Sequence, residues 1–292
     1  MSKVYFTKSI TPDAVPVLFE KLGKPLSGKV AVKVHSGEKR NQNFLKPEFW
    51  KPIIDAVGGT VVETNTAYDG ERNATDRHLK LLGEHGWSEL FPTQLLDDEG
   101  PDLALPIPSG KIIKENLVGK HTSQYDSMLV LAHFKGHPMG GYGGALKQLA
   151  IGCASSAGKS RIHSGGVTDD QSTVWNNTAP QNDFLEAMAD AAKSIIDLFE
   201  GRIVYINVMK NLSVDCDCCA VAEDPCMGDI GMLISDDPVA IDKACIDLVY
   251  SSNDPGKAHF IKRVESRNGT HLIDAAKALG CGSDEYDLIT LD

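Results

Sequence analysis

Apolar β-type runs alternate along this chain with amphipathic helical patterns, and that alternation leaves few architectures open. Residues 30–34 (Val-Ala-Val-Lys-Val) read as a buried strand. Pro47 then opens a helix to Val57, with Phe49, Trp50, Ile53, Ile54 and Val57 at helical spacing, Pro52 as a kink position and Gly58-Gly59 as the stop. A second strand covers 60–64 and a further helix 75–84. Residues 91–113, rich in Pro, Gly and Asp, predict loops with short strands. Residues 127–133 are a strand, followed by a Gly-rich stretch, 136–166, in which 146–151 read as helix. An amphipathic helix spans 183–199, with Leu185, Met188, Ala192, Ile195 and Phe199 on one face. Strands at 202–209 and 229–234, a helix from Asp237-Pro238, a short helix at 271–279 and a strand at 286–291 complete the order. The expected fold is α/β: a largely parallel, layered, Rossmann-like sheet with flanking helices. We expect one unit over 1–292, with 101–120 as the place for any subdivision.

The net charge of −11 gives no electrostatic support to a nucleic-acid or anionic-membrane role. The start of the chain lacks a signal-peptide pattern, and no apolar stretch approaches the roughly 20 residues that span a bilayer. Seven cysteines, four of them between Cys216 and Cys226, do not form a disulfide framework, so the expected setting is a reducing cytoplasm.

The densest chemistry is Val214-Asp215-Cys216-Asp217-Cys218-Cys219, which follows a strand and therefore leaves the sheet edge where α/β proteins place their sites. Clustered thiols suit a soft metal or redox chemistry. Cys216 and Cys218, two apart, can share an ion; Cys219, adjacent to Cys218, is the weaker candidate, and Cys226 lies at a plausible return distance. The spacing fits neither a zinc ribbon nor a ferredoxin run, and the competing reading is a buried turn with free thiols. Asp215 and Asp217 suit a hard cation or local amide caps.

Three more segments end strands in the same way. Residues 132–139 (Ala-His-Phe-Lys-Gly-His-Pro-Met) bring His133, Lys135 and His137, a set that offers imidazoles and a cation for an anion. Lys33 and His35 end the first strand, and Asn65 follows the second. In a parallel sheet these ends converge on one crevice, although polar residues also finish strands at a solvated rim. Residues 140–147 place Gly143 and Gly144 before a helix start and Lys147, a pattern that suits an anion nest. Residues 152–160 imitate a P-loop, but five residues separate Gly152 from Gly158 where the motif has four, so nucleotide hydrolysis is not expected. Lys159 remains a candidate for an anion pocket, with Arg161 and His163. Cys245, Met188 and Cys281 read as structural.

Together these blocks resemble the DUF362 family, whose members are also labelled Fe–S centre proteins. The resemblance runs through 32–38, 64–66, 132–137, 143–147, 152–155, 215–218, 229–242, 269–272 and 280–286. Longer relatives carry a ferredoxin-type insert after the block ending His163-Ser164. Residues 165–182 of this chain contain no cysteine, so the resemblance does not imply that module. It implies the Cys216/Cys218 pair.

The expectation is a cytoplasmic metal- or cofactor-dependent enzyme acting on a small anionic substrate. Its catalytic candidates are Lys135, His133, His35 and Lys33. Its anion-binding candidates are Gly143, Gly144, Lys147, Asn65, Lys159 and His137. Its metal candidates are Cys216, Cys218, Cys219 and Cys226, for a soft divalent metal or an Fe–S cluster. The alternative is a non-catalytic metal- or anion-binding module acting with a partner redox protein.

Overall fold

The computed structural model describes residues 1–292. In chain order the elements are β1 (Ser2–Thr7), α1 (Ala14–Leu22), β2 (Val30–Lys33), α2 (Pro47–Val57), β3 (Thr60–Glu63), α3 (Thr75–Glu84), α4 (Trp87–Leu90), β4 (Thr93–Leu95), β5 (Leu103–Pro106) and β6 (Glu115–Val118). Next come β7 (Ser127–His133), β8 (Lys135–His137), β9 (Gly141–Gly143), α5 (Ala145–Cys153), α6 (Ser156–His163), α7 (Gln181–Phe199) and β10 (Ile203–Met209). The chain finishes with β11 (Gly231–Ser235), α8 (Pro238–Ser251), α9 (Lys257–Ser266), α10 (His271–Ala278) and β12 (Tyr286–Thr290). No helix is long and apolar enough to cross a membrane.

Eight strands form one sheet in the order β12-β1-β11-β10-β7-β2-β3-β4. Only β11 runs against its neighbours; the other pairings are parallel. The expected layered α/β fold is therefore the observed one. The central strands β2, β7 and β10 are buried at every position because both faces are covered, and their polar residues are few. Along β7, Met128 and Val130 enter one apolar core while Leu129 and Leu131 enter the other. The first core packs under α5, α7, α8 and α10, the second under α1 to α4. Truncating a central residue such as Ile53, fully buried on α2, to Ala should cost about 2–5 kcal/mol.

Local signals act where they were legible. Pro47 sits in the first turn of α2, and Gly58 ends that helix in the left-handed region at φ 61°. The helix continues through Pro52 to Val57. The Gly-rich stretch after β7 is more ordered than its composition suggests. It contains the β8–β9 hairpin and two successive helices, α5 and α6. The hairpin of β5 and β6, within the stretch offered as a subdivision, sends Leu105 and Val118 into the first core.

Candidate metal and anion site

Strands β10, β7, β2 and β3 are consecutive in the sheet and parallel, so their C-terminal ends share an edge. At that edge lies a cavity of about 120 Å³. Strand β2 contributes Lys33 and, just beyond it, His35; β3 contributes Glu63, followed by Thr64 and Thr66; β8 contributes His137. Helix α5 adds Lys147 and Gln148, α6 adds Lys159 and His163, and the segments between add Tyr68, Arg72, Trp175 and Cys218.

The wall is rich in cations. Lys33 Nζ lies 2.6 Å from Glu63 Oε2 and 2.5 Å from the Val34 carbonyl. Arg72 reaches Glu63 at 3.3 Å, Glu38 at 3.4 Å and the Tyr68 hydroxyl at 2.7 Å. Burial pushes the Glu63 carboxyl up, but Lys33 and Arg72 outweigh it and bring the pKa down to about 2. Both ring nitrogens of His35 face N–H groups, Nδ1 the Gly37 amide at 3.2 Å and Nε2 the Arg72 guanidinium at 3.4 Å, and a neutral ring can accept only one of them. Burial and then Arg72 hold its pKa well below the usual imidazole range. Lys33 and His35 therefore line the cavity but are already engaged. Lys147 is different: no carboxylate pairs with it. Beside it, the buried Gln148 Nε2 has no hydrogen-bond partner.

The thiol loop sits next to this wall. Atoms of His137, Cys216 and Cys218 lie within 4.8 Å of one another. Burial pushes the Cys216 thiol up to about 11. Cys218 also stands at about 11; its hydrogen bond with Cys216 lowers it, while Cys219 and burial raise it further. A soft cation would have to displace these protons. Cys219 and Cys226 stand outside the group, Cys226 Sγ lying 3.3 Å from the Leu212 carbonyl.

Between the two thiols, Asp217 is buried and doubly clamped. His133 Nδ1 lies 2.9 Å from Asp217 Oδ1, and Lys135 Nζ lies 3.0 Å from Oδ2. These partners outweigh burial and hold the Asp217 carboxyl well below its usual range. The same charge raises the Lys135 ammonium against the lowering effect of burial. His133 and Lys135 were expected at the reacting centre. They hold the thiol loop instead and do not line the cavity. The opposite side of the loop is pinned from the segment after β2. The Glu38 amide donates to the Asp217 carbonyl at 2.8 Å, and Asn41 Nδ2 donates to the carbonyls of Cys216 and Cys219 at 3.3 and 2.8 Å. Asn43 Nδ2 reaches the Glu223 carbonyl at 2.8 Å.

Ring hydrogen bonds decide what each cavity imidazole can offer. The amides of Met139 and Gly140 donate to His137 Nδ1 at 3.1 and 2.8 Å. A neutral His137 thus carries its proton on Nε2, the nitrogen 3.9 Å from Cys218 Sγ. That ring is set to donate to a thiolate rather than to ligate through Nε2. His163 has the reverse arrangement. Nδ1 lies 2.7 Å from the Lys159 carbonyl and must donate to it, so Nε2 keeps its lone pair. Burial lowers both rings to about 4, so both are neutral at pH 7. His163 is further held between the rings of Trp175 and Phe184, at 5.3 and 5.0 Å.

Two anion-binding expectations give way. The first amides of α5 do not face outward: Ala145 and Leu146 donate to Asp242 at 2.8 and 3.1 Å. Asp242, raised by burial to about 6, fills the nest that Gly143 and Gly144 were expected to offer an outside anion. Gly144 is required there because a Cβ would lie 2.4 Å from Asp242 Oδ1. Asn65 bonds Thr75 and His78 and does not line the cavity. Gly152 and Cys153 close α5, and Ser155 caps α6, so 152–160 forms no phosphate loop.

The sequence reading missed Glu63, Arg72, Gln148 and the clamp role of Asp217; His163, named beside Lys159 for an anion pocket, does line the cavity. A signal existed for Glu63: a carboxylate closing an apolar strand, beside a neighbouring strand that closes on Lys33, is a buried pair in waiting.

A family model described as "Domain of unknown function (DUF362)" matches residues 30–247, more than half of the chain. The chain belongs to that family. No curated protein matches. Among solved structures, similarity extends to the lactate racemase apoprotein from Thermoanaerobacterium thermosaccharolyticum. There the identity is 14% and the TM-score 0.42, over 70% of this chain and 50% of that one. A Thermotoga maritima protein from a structural genomics consortium matches at 11% identity and TM-score 0.45, over 91% and 58% of the two chains. This chain thus spans only 50% and 58% of those two proteins.

Proposed function

We propose that this DUF362 protein is a metal- or cofactor-dependent enzyme whose cavity takes a small anionic substrate. The observation that carries the reading is the pair Lys147 and Gln148. An unpaired ammonium and a buried, partnerless amide belong to residues that line the same cavity. A bound carboxylate would satisfy both, and leaving such groups unmade is costly. A cavity of about 120 Å³ limits that ligand to a small molecule.

Cys216 and Cys218 fit a soft metal by donor type, with His137 Nε2–H stabilising a thiolate and Asp217 holding the loop in place. Lewis-acid or electron-transfer chemistry is what such a metal supplies when bound. Lys147 orients the anion. His163, neutral and with Nε2 free, accepts a proton at that atom.

Metal analysis of anaerobically purified protein tests this directly. We expect a stoichiometric soft metal that is lost from the Cys216→Ser/Cys218→Ser double variant, and carboxylate binding that weakens in Lys147→Ala. A metal-free wild type, or a double variant that keeps its metal, refutes the metal half. Undiminished carboxylate binding by Lys147→Ala refutes the anion half.

A further inference from the structure

Lys159 is buried on α6 and lines the cavity, yet it has no carboxylate partner. Its Nζ lies 2.5 Å from Thr64 Oγ1 and 2.6 Å from the Ala154 carbonyl. Thr64 gives its own hydroxyl proton to the Gly152 carbonyl at 2.9 Å, so towards Lys159 it acts as an acceptor. The site therefore presents two acceptors and no third. An ammonium would leave one N–H unmade; a neutral amine satisfies both acceptors and keeps a lone pair.

The charges around it favour the neutral form. Lys33 and Arg72 line the same cavity, and Glu63 between them is already paired with both. Two carboxylates work against this, Asp97 and more weakly Glu63, and Asp97 accepts the amides of Asn65 and Ser156. Burial, offset in part by Asp97, brings the Lys159 pKa down to about 7. Desolvation beside other cations is how a lysine becomes a nucleophile near neutral pH.

We propose that Lys159 forms a Schiff base with a small 2-oxo acid bound in this cavity. Its Nζ lone pair attacks the carbonyl carbon, and the C=O π pair moves onto oxygen. The two amine hydrogens leave with that oxygen as water, and the C=N bond remains; no oxidant or reductant takes part. The carbonyl requirement comes from Lys159. The acid requirement rests on the anion reading of Lys147 and Gln148 given above.

Borohydride trapping with pyruvate as the probe tests this. Wild-type protein, pyruvate and sodium cyanoborohydride should give one reduced adduct by intact mass, and peptide mapping should place it on Lys159. The yield should rise with pH through about 7. Lys159→Arg and Lys159→Met should give no adduct, with circular dichroism checking their folding. If neither variant folds, mapping on the wild type still decides. No adduct on wild type, an adduct on another lysine, or an adduct that survives in a folded Lys159 variant overturns the proposal. Lys147→Ala separates the two ideas. It should still be trapped, but only at a pyruvate concentration tenfold or more higher. Equal trapping at equal concentration would remove the anion reading and leave the Schiff base standing.

Discussion

His133 Nδ1 lies 2.9 and 3.0 Å from the two carboxylate oxygens of Asp217, while its Nε2 lies 2.6 Å from the Lys210 carbonyl. Both ring nitrogens face acceptors, an arrangement that only a doubly protonated ring satisfies completely. The ring therefore bridges the end of β7 to the loop after β10 and has nothing left for a ligand.

Removing the shared carboxylate should be severe. Asp217→Ala leaves His133 and Lys135 buried without their partner, and breaking a pair in this way costs about 3–5 kcal/mol. Urea denaturation measures it. Because Cys216 and Cys218 flank the clamp, the folded fraction should also show faster reaction with a thiol reagent. A loss under about 1 kcal/mol would mean that the clamp is dispensable.

Lys147→Ala should behave in the opposite way. The ammonium has no carboxylate partner to lose, so stability should change by less than about 0.5 kcal/mol. Affinity for a small carboxylate such as pyruvate, followed by calorimetry, should fall by about tenfold or more, the strength of one charge-assisted hydrogen bond. A large drop in the unfolding midpoint with unchanged affinity would assign Lys147 to the scaffold.

Acid should weaken the fold before the carboxylates titrate. His163 and His78 are buried with pKa values lowered by desolvation to about 4 and about 3. In the unfolded chain such rings protonate below about 6.5. Between those values the unfolded state binds more protons, so stability falls as pH drops from about 6.5 to 4 and is unaffected above 6.5. For His163 alone the effect approaches about 3 kcal/mol. Urea midpoints at pH 7.5, 6 and 5 should decline, and His163→Phe should flatten the slope. A midpoint constant from pH 7.5 to 5 would contradict this.

Gly136→Ala probes the seat of the thiol loop. A Cβ there would lie 2.4 Å from the Val214 carbonyl, which is backbone and cannot rotate away. The variant should lose about 1–3 kcal/mol and shift the segment leading to Cys216. Metal content after anaerobic purification should fall with it. Wild-type metal content together with a lowered melting temperature would separate loop position from metal retention.

Much of the architecture was legible because it follows from local pattern. The apolar run at 127–133 and the helix with Pro47 at its start and Gly58 at its end stand where the sequence placed them. The convergence of strand ends followed from parallel pairing. The occupancy of the site did not follow. A sequence shows that Gly143-Gly144 precedes a helix, but it cannot show that Asp242, almost a hundred residues later, already fills that helix end. It shows a histidine at 133 and another at 163. The direction of the His133 N–H groups depends on Asp217 and the Lys210 carbonyl, brought in from 77 or more residues away, whereas His163 bonds the Lys159 carbonyl of its own helix. Those long-range hydrogen bonds make His133 a clamp, while the His163 ring is set by a carbonyl one turn earlier.

The bonds from Asn41 and Asn43 to Cys216, Cys219 and Glu223 also set an order in time. During synthesis the β2 side of the site leaves the ribosome first and waits for a stretch of chain up to 180 residues further on. At about 5–20 residues per second, that wait lasts on the order of ten seconds. The four cysteines between 216 and 226 emerge within a second or so of one another, before anything can bury them. The thiols are therefore unclamped when they emerge, and they are shielded from the surrounding solution only once the bonds from Asn41 and Asn43 have closed over them.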